Sequence, residues 1–174
     1  LRLSSAASDV YKRQIMSRAI IFPGQGSQSV GMGRGLASQY AEAREVFEAV
    51  DDALGEKLSA VIWNGPDEEL TLTENAQPAL MAVSLATFRV LENQGFNLSN
   101  HADYVAGHSL GEYSALAASG ALTLTDTAKL LRIRGKAMQQ AVPVGVGAMA
   151  ALLGPDFYTV VEIAAKASTD EEIC

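Results

Sequence analysis

Val105-Ala106-Gly107-His108-Ser109-Leu110-Gly111-Glu112 is the stretch on which the reading of this chain turns. Gly107-x-Ser109-x-Gly111 is a nucleophile-elbow pattern, in which a serine sits on a sharp strand-to-helix turn with its hydroxyl exposed. The flanks suit such a turn. Asp103–Ala106 contains a short apolar run that predicts a buried strand, and Leu110–Ser119 is rich in Ala and Leu, which predicts a helix. A serine held this way suits acyl transfer, because the backbone N–H of the next residue, Leu110, faces the oxyanion that forms. The same residues also describe a plain strand–helix connection, with the glycines easing packing and Ser109 capping the helix.

The rest of the chain bounds the choice. Its 174 residues, 48% of them hydrophobic, suffice for a domain with a real core. The net charge of −7 and the lack of a basic run argue against nucleic acid as a partner. The one cysteine, Cys174, excludes a disulfide or a cysteine-based metal site within the chain, and a reducing, cytoplasmic setting is expected. No apolar stretch reaches the length of a membrane span without a charge or a glycine, so no membrane partner is expected. No metal-ligand spacing is present. Asp51-Asp52 and Asp67-Glu68-Glu69 read as solvated surface.

Both ends look foreign to the fold. Ser4–Gln14 resembles the in-frame translation of a sequencing-library adapter, and Met16 opens a natural-looking start, so residues 1–15 are expected to stand outside the domain. By the same reasoning the chain is expected to be cut at its C-terminus.

Arg18–Phe22 predicts a first strand, running into a glycine-dense loop that reaches Gly35. Leu36, Tyr40, Ala43, Phe47 and Val50 repeat at helical spacing, with Gly55 as a stop. Residues 56–75 read as polar and turn-rich, with the clearest break at Asn64-Gly65-Pro66-Asp67. Pro78 is expected near the first turn of a second, buried helix that runs to about Gln94. Thr123 and Asp126 suggest a capping box for a helix over Asp126–Gln140. Beyond the Val142–Gly147 break, Ala148–Leu153 reads as a strand and Phe157–Ala167 as a helix. This alternation points to an α/β layer fold with a parallel sheet.

A nucleophilic serine needs a base, and the chain offers His101 and His108. His108 precedes the serine and should project to another side of the turn, supporting the elbow. His101 lies before the strand, at the edge opposite the elbow. The base is therefore expected outside these residues, unless Ser109 is not a nucleophile at all. On the Asp126–Gln140 helix, Leu130, Leu131, Arg134, Ala137, Met138 and Ala141 fall on one face, and Arg132, Lys136 and Gln139 on the polar side. An inward Arg134 must find an anion. A structural ion pair and a bidentate clamp for a substrate carboxylate both satisfy it. The Gly24-Gln25-Gly26 loop is not a nucleotide fingerprint, since Ser29 stands where a third glycine is needed. It is either a plain connection or the source of a second oxyanion donor, the backbone N–H of Gln25.

Four runs in order, IFPGQGSQSVGMG, TENAQPAL, GHSLGEYSALAASGAL and LRIRG, resemble the malonyl-CoA:acyl-carrier-protein transacylases of fatty-acid synthesis. Acyltransferase domains of polyketide synthases share these marks. The resemblance covers Met16 to about Gly154. It implies that Ser109 carries the malonyl ester, that Gln25 and Leu110 supply the oxyanion hole, and that Arg134 pairs with the malonyl carboxylate. Gly107, His108 and Gly111 then support the elbow. It implies malonyl-CoA as substrate, acyl carrier protein as partner with its phosphopantetheine, no resident cofactor and no metal, in a monomer. The implied fold is an α/β-hydrolase-like core over residues 16–141 that opens, over 142–174, into an inserted ferredoxin-like subdomain. The base histidine of the family would then lie beyond Cys174. Two rival readings remain: a serine esterase or lipase of the α/β-hydrolase class, and a fragment with no activity of its own.

Overall fold

β1 (Ala19–Phe22) and β2 (Tyr104–Gly107) pair in parallel, from Ala19 beside Tyr104 to Phe22 beside Gly107. The structure is a computed structural model that describes residues 17–142, 145–146 and 152–168. These fall into two units, one ending at Ala141 and one beginning at Val142. In the first, the two strands are joined by a run of helices: α1 (Arg34–Gln39), α2 (Ala41–Leu54), α3 (Leu58–Asn64), α4 (Asp67–Thr71), α5 (Thr73–Asn93) and α6 (Leu98–His101). After β2 come α7 (Gly111–Ala118) and α8 (Leu124–Ala141). The α/β class expected from the sequence is therefore present, as a mixed fold with a small parallel sheet.

Both strands alternate in the same sense. Ile20 and Phe22 of β1 turn inward beside Val105 and Gly107 of β2, while Ile21 and Tyr104 are 73% and 65% exposed. The buried strand expected over Asp103–Ala106 is thus half open. Among the described residues β2 has one strand neighbour, and α7 packs against both strands.

The core lies in the helices. Ala43, Val46, Phe47 and Val50 of α2 recur every three or four residues and are buried, as an amphipathic helix requires. They meet Leu58 and Ile62 of α3 and the central residues of α5, Ala79 to Ala82 with Leu85 and Ala86. Phe47 meets Trp63 edge-on at 5.1 Å between centroids. The single helix expected from Leu36 to Val50 is broken at Tyr40, whose backbone is extended (φ −124, ψ 122). Gly55 ends α2 as expected, at φ 68, with its N–H returned to the carbonyls of Asp51 and Asp52.

Three other expectations are corrected. The polar stretch 56–75 holds two short helices, α3 and α4, on either side of the expected break. Asp51 is buried rather than solvated. Its carboxylate accepts from the Ser59 N–H at 2.9 Å and the Ser59 hydroxyl at 2.6 Å, which fixes the start of α3. Helix α5 begins at Thr73, so Pro78 sits in its second turn rather than its first. Proline there has no N–H to give to the carbonyl four residues back, Glu74.

One half of the expected capping box is present among the described residues, the bond to the Asp126 N–H. Thr123 Oγ1 accepts from the Asp126 N–H at 3.0 Å and donates to Asp126 Oδ2 at 2.7 Å, and α8 begins directly after it. In the second unit, α9 (Phe157–Ala167) forms as expected, with Asp156 accepting from the Thr159 N–H. Of the strand expected over Ala148–Leu153, 148–151 lie outside the described residues, and Leu152 and Leu153 are not in a strand. Residues 1–15 and Cys174 also lie outside the described residues. No helix among those described is long and apolar enough to cross a membrane.

Candidate active site

The turn from β2 into α7 is the elbow that the glycine spacing predicts. Ser109 has φ 55, and it is the one described non-glycine residue in the left-handed region. A serine held there carries a strain of order 1–2 kcal/mol, so its surroundings must impose it. They do so through backbone. A Cβ at Gly107 would overlap the Gly111 carbonyl, and one at Gly111 would overlap the Phe22 carbonyl. These two glycines let the first turn of α7 rest on the ends of both strands. The His108 N–H donates to Phe22 O at 3.2 Å, and the Gly111 N–H to His108 O at 2.9 Å. Leu110, 1% exposed, drives its side chain into the core and anchors the helix start. The Ser109 side chain remains exposed.

The parallel register brings the loop after β1 to the same end of the sheet. His108 packs its ring over Gly24, where a Cβ would overlap Nδ1, so the histidine joins the elbow to this loop. Gln25 follows, and its side-chain Nε2 donates to Thr73 Oγ1 at 3.1 Å, at the start of α5. The backbone N–H groups of Leu110 and Gln25 make no hydrogen bond among the described residues, which leaves both open to an external acceptor.

Two arginines on α8 depart from the places the sequence predicts for them, Arg132 fully and Arg134 in part. Arg132, expected on the polar side, is 9% exposed. Its Nη1 donates to Glu74 O at 2.7 Å and to Asn75 Oδ1 at 2.5 Å, and its Nη2 pairs with Glu56. Arg134, expected within the apolar stripe, lies half-buried at its edge, while Leu130 and Met138 are exposed by 42% and 40%. The buried face is Thr127, Ala128, Leu131, Arg132 and Gly135. Gly135 explains the rotation: a Cβ there would stand 2.5 Å from Glu74 Cα and 2.8 Å from Thr73 O. A close approach to α5 runs through this glycine, and Arg132, three residues before it, faces α5 on the same side.

Arg134 is nonetheless the residue that meets the serine. Its Nη2 donates to Ser109 Oγ at 3.0 Å and its Nη1 to Gln77 Oε1 at 2.5 Å, and its guanidinium lies 5.8 Å from the Tyr113 ring centroid. Gln77 is fully buried in α5, and its Nε2 donates to Met138 Sδ at 3.3 Å. Among the described residues Arg134 forms no ion pair, and its two hydrogen-bond partners, Ser109 and Gln77, are both neutral.

Neither histidine bonds Ser109 among the described residues. His101 sits at the far end of β2, bonded to the Asn97 backbone and stacked on Phe96 at 4.9 Å. No cluster of His, Cys, Asp or Glu among the described residues could hold a metal ion. Sequence reasoning missed Gln77, Thr73 and Arg132. TENAQPAL contains the first two, and helical spacing of four residues places Thr73 and Gln77 on one face, but nothing in the string says that α8 meets that face.

The Acyl transferase domain family matches residues 19–170. The chain belongs to that family. Among its acyl transferase relatives, a malonyl CoA-acyl carrier protein transacylase of Bacillus subtilis is 47% identical over 152 residues, covering 87% of this chain and 47% of the relative. The transacylase of Haemophilus influenzae is 46% identical over 155 residues, 89% of this chain and 49% of its own length. The crystal structure of an acyl-carrier-protein-S-malonyltransferase from Bartonella henselae superposes with a TM-score of 0.83 at 60% identity, covering 91% of this chain and 50% of that one. The chain thus spans about half the length of the relatives it matches.

Proposed function

We propose that Ser109 accepts a malonyl group from malonyl-CoA and passes it to the phosphopantetheine thiol of acyl carrier protein. One observation carries the reading: Arg134 Nη2 stands 3.0 Å from the exposed Ser109 Oγ, with its other arm held by a buried glutamine. A cation beside the nucleophile suits an acyl group that bears its own anion. A malonyl ester places its carboxylate one methylene beyond the carbonyl under attack, so the acyl group displaces the direct Arg134–Ser109 hydrogen bond and takes its place on the guanidinium. An acetyl group would displace the bond without replacing it, which favours acid-bearing acyl groups.

The chemistry is ping-pong. Ser109 Oγ attacks the thioester carbonyl, the N–H groups of Leu110 and Gln25 hold the oxyanion, the C–S bond breaks and the CoA thiol leaves with the serine's proton. The carrier thiol then attacks the ester and restores the hydroxyl. Among the described residues Ser109 Oγ has Arg134 as its partner and no histidine, so neither His101 nor His108 is assigned as the general base. The reading extends to the fold and setting: residues 16–141 as part of an α/β-hydrolase-like core, 142–174 as the opening of a ferredoxin-like subdomain, and a cytoplasmic monomer. The relatives named as malonyl transacylases support the malonyl-transfer chemistry, and an acyltransferase domain of a polyketide synthase would use the same site.

Incubating the full-length gene product with radiolabelled malonyl-CoA should label Ser109, and Ser109→Ala should abolish the label. No label, or equal labelling from acetyl-CoA, would overturn the assignment. The esterase reading has no use for Arg134, so ester hydrolysis that survives Arg134→Ala would favour it instead.

A further inference from the structure

Four residues at the start of α5 hold the Gln25 side chain and the two arginines of α8. Thr73 holds the Gln25 side chain, and Gln77, one turn later on the same face, holds Arg134. Between them, Glu74 and Asn75 hold Arg132. Glu74 O is free to accept from Arg132 because Pro78, four residues on, has no N–H to offer it. Asn75 also donates from Nδ2 to Glu69 O at 2.9 Å, tying α4 to the same turn. Gly135 lets α8 come close enough for the arginine to reach. Arg132 itself touches neither Ser109 nor Arg134.

We propose that Arg132 is a positioning residue for the acyl site: it clamps the first turn of α5 to α8, and that turn sets Arg134 and the Gln25 loop relative to Ser109. The inference rests on the malonyl-transfer reading for its kinetic consequence, but its geometry stands apart from that reading. A guanidinium suits the task, since it reaches a backbone carbonyl, a side-chain amide and a carboxylate on three sides at once. With the clamp removed, Glu74 O loses a charge-assisted donor and Gln77 is no longer held at a fixed distance from α8. Arg134 then loses its aim. A displacement of about 1 Å at a substrate-positioning group is enough to lower a rate up to a hundredfold.

Two measurements on the full-length gene product test this. The first is the ratio of Ser109 labelling rates with malonyl-CoA and acetyl-CoA, in wild type and in Arg132→Ala. The Gln25 N–H serves both acyl groups, whereas Arg134 serves the malonyl carboxylate alone. Loss of positioning should therefore lower the ratio by roughly tenfold or more. A merely structural loss lowers both rates together and leaves the ratio unchanged. The second is the ¹⁵N NMR signature of the Arg134 guanidinium, assigned by its disappearance in Arg134→Lys. Held by Gln77 and Ser109, its Nη groups should give separate resonances in wild type and averaged ones in Arg132→Ala. Should that variant fail to fold, Asn75→Ala and Glu56→Ala each remove one acceptor while leaving the arginine in place, and the same two changes are expected in smaller measure. An unchanged ratio together with unchanged Arg134 resonances overturns the proposal. Wild type that takes no malonyl label overturns the functional reading instead, and the resonances then decide the positioning claim by themselves.

Discussion

Replacing Gly135 by alanine should destabilise the fold, although alanine is the better helix former. In an open helix the change gains about 1 kcal/mol. At Gly135 the new methyl group would stand 2.5 Å from Glu74 Cα and 2.8 Å from Thr73 O. Carbon atoms pack at about 3.5–4.0 Å, so α5 and α8 must part by about 1 Å. Both obstructing atoms are backbone and have no rotamer with which to yield. Overpacking of this kind costs about 1–3 kcal/mol, and the upper end applies because parting also stretches the bonds from Arg132 to Glu74 O and Asn75. The net expectation is a loss of about 2 kcal/mol, the overpacking cost less the helix-propensity gain. Gly35, in α1, is the control: an added Cβ there meets nothing within 4 Å, and its alanine variant should gain about 0.5–1 kcal/mol. Urea unfolding followed by the fluorescence of Trp63, the one tryptophan, reads out the first unit directly. The Gly135→Ala midpoint should fall by about 1 M, and that of Gly35→Ala should rise slightly. A Gly135→Ala midpoint at or above that of wild type would refute the close contact between these helices and, with it, the account of why Arg132 turns inward.

Two further outcomes are expected. Thr123→Ala removes the oxygen that accepts from the Asp126 N–H at the start of α8 and should cost about 1 kcal/mol in the same urea assay, which Thr123→Ser should largely restore. In the second unit, the hydrogen bond from the Thr159 N–H, then that from its hydroxyl, holds the Asp156 carboxyl below its ordinary 3.8. Its folded value is depressed, so its contribution to α9 is present above pH 3.8 and is lost as pH falls through the lower, folded value. The amide shift of Thr159 in an NMR titration should follow that loss with a midpoint below 3.8, and a midpoint at or above it would show that the cap does not form.

The parts legible in the sequence are those written locally. Gly107 and Gly111 specify the elbow because the close approaches they permit lie within a few residues or at the end of the neighbouring strand. Thr123 with Asp126, Gly55 and the break at Asn64–Asp67 are likewise local signals. The orientation of α8 is not. Its apolar spacing turns Arg134 inward and Arg132 outward, whereas Arg132 is buried and Arg134 half-buried, and two facts account for this: a glycine that admits the α5 backbone, and a proline in α5 that leaves a carbonyl without its helical donor. Gln77 escaped notice for a related reason. A buried amide between apolar neighbours on one helix gives no hint of its partner on another. Strand burial was misjudged because an apolar run reads the same whether one face or both are covered.

The parallel pairing of β1 with β2 has a consequence for the order in which this molecule comes together. Every partner pair in the sheet is separated by about 85 residues, as are Arg18 and Asp103, whose hydrogen bond closes its near end. Closing a loop of that length costs about 4 kcal/mol of chain entropy before any strand bond is gained. Contacts among the helices between the strands, such as those of α2 with α3 and α5, close shorter loops and can form first. The tight turn at Ser109 depends on the meeting of the two strand ends, so reactivity at that hydroxyl reports on the closure of this long loop, not on the helical content of the unit.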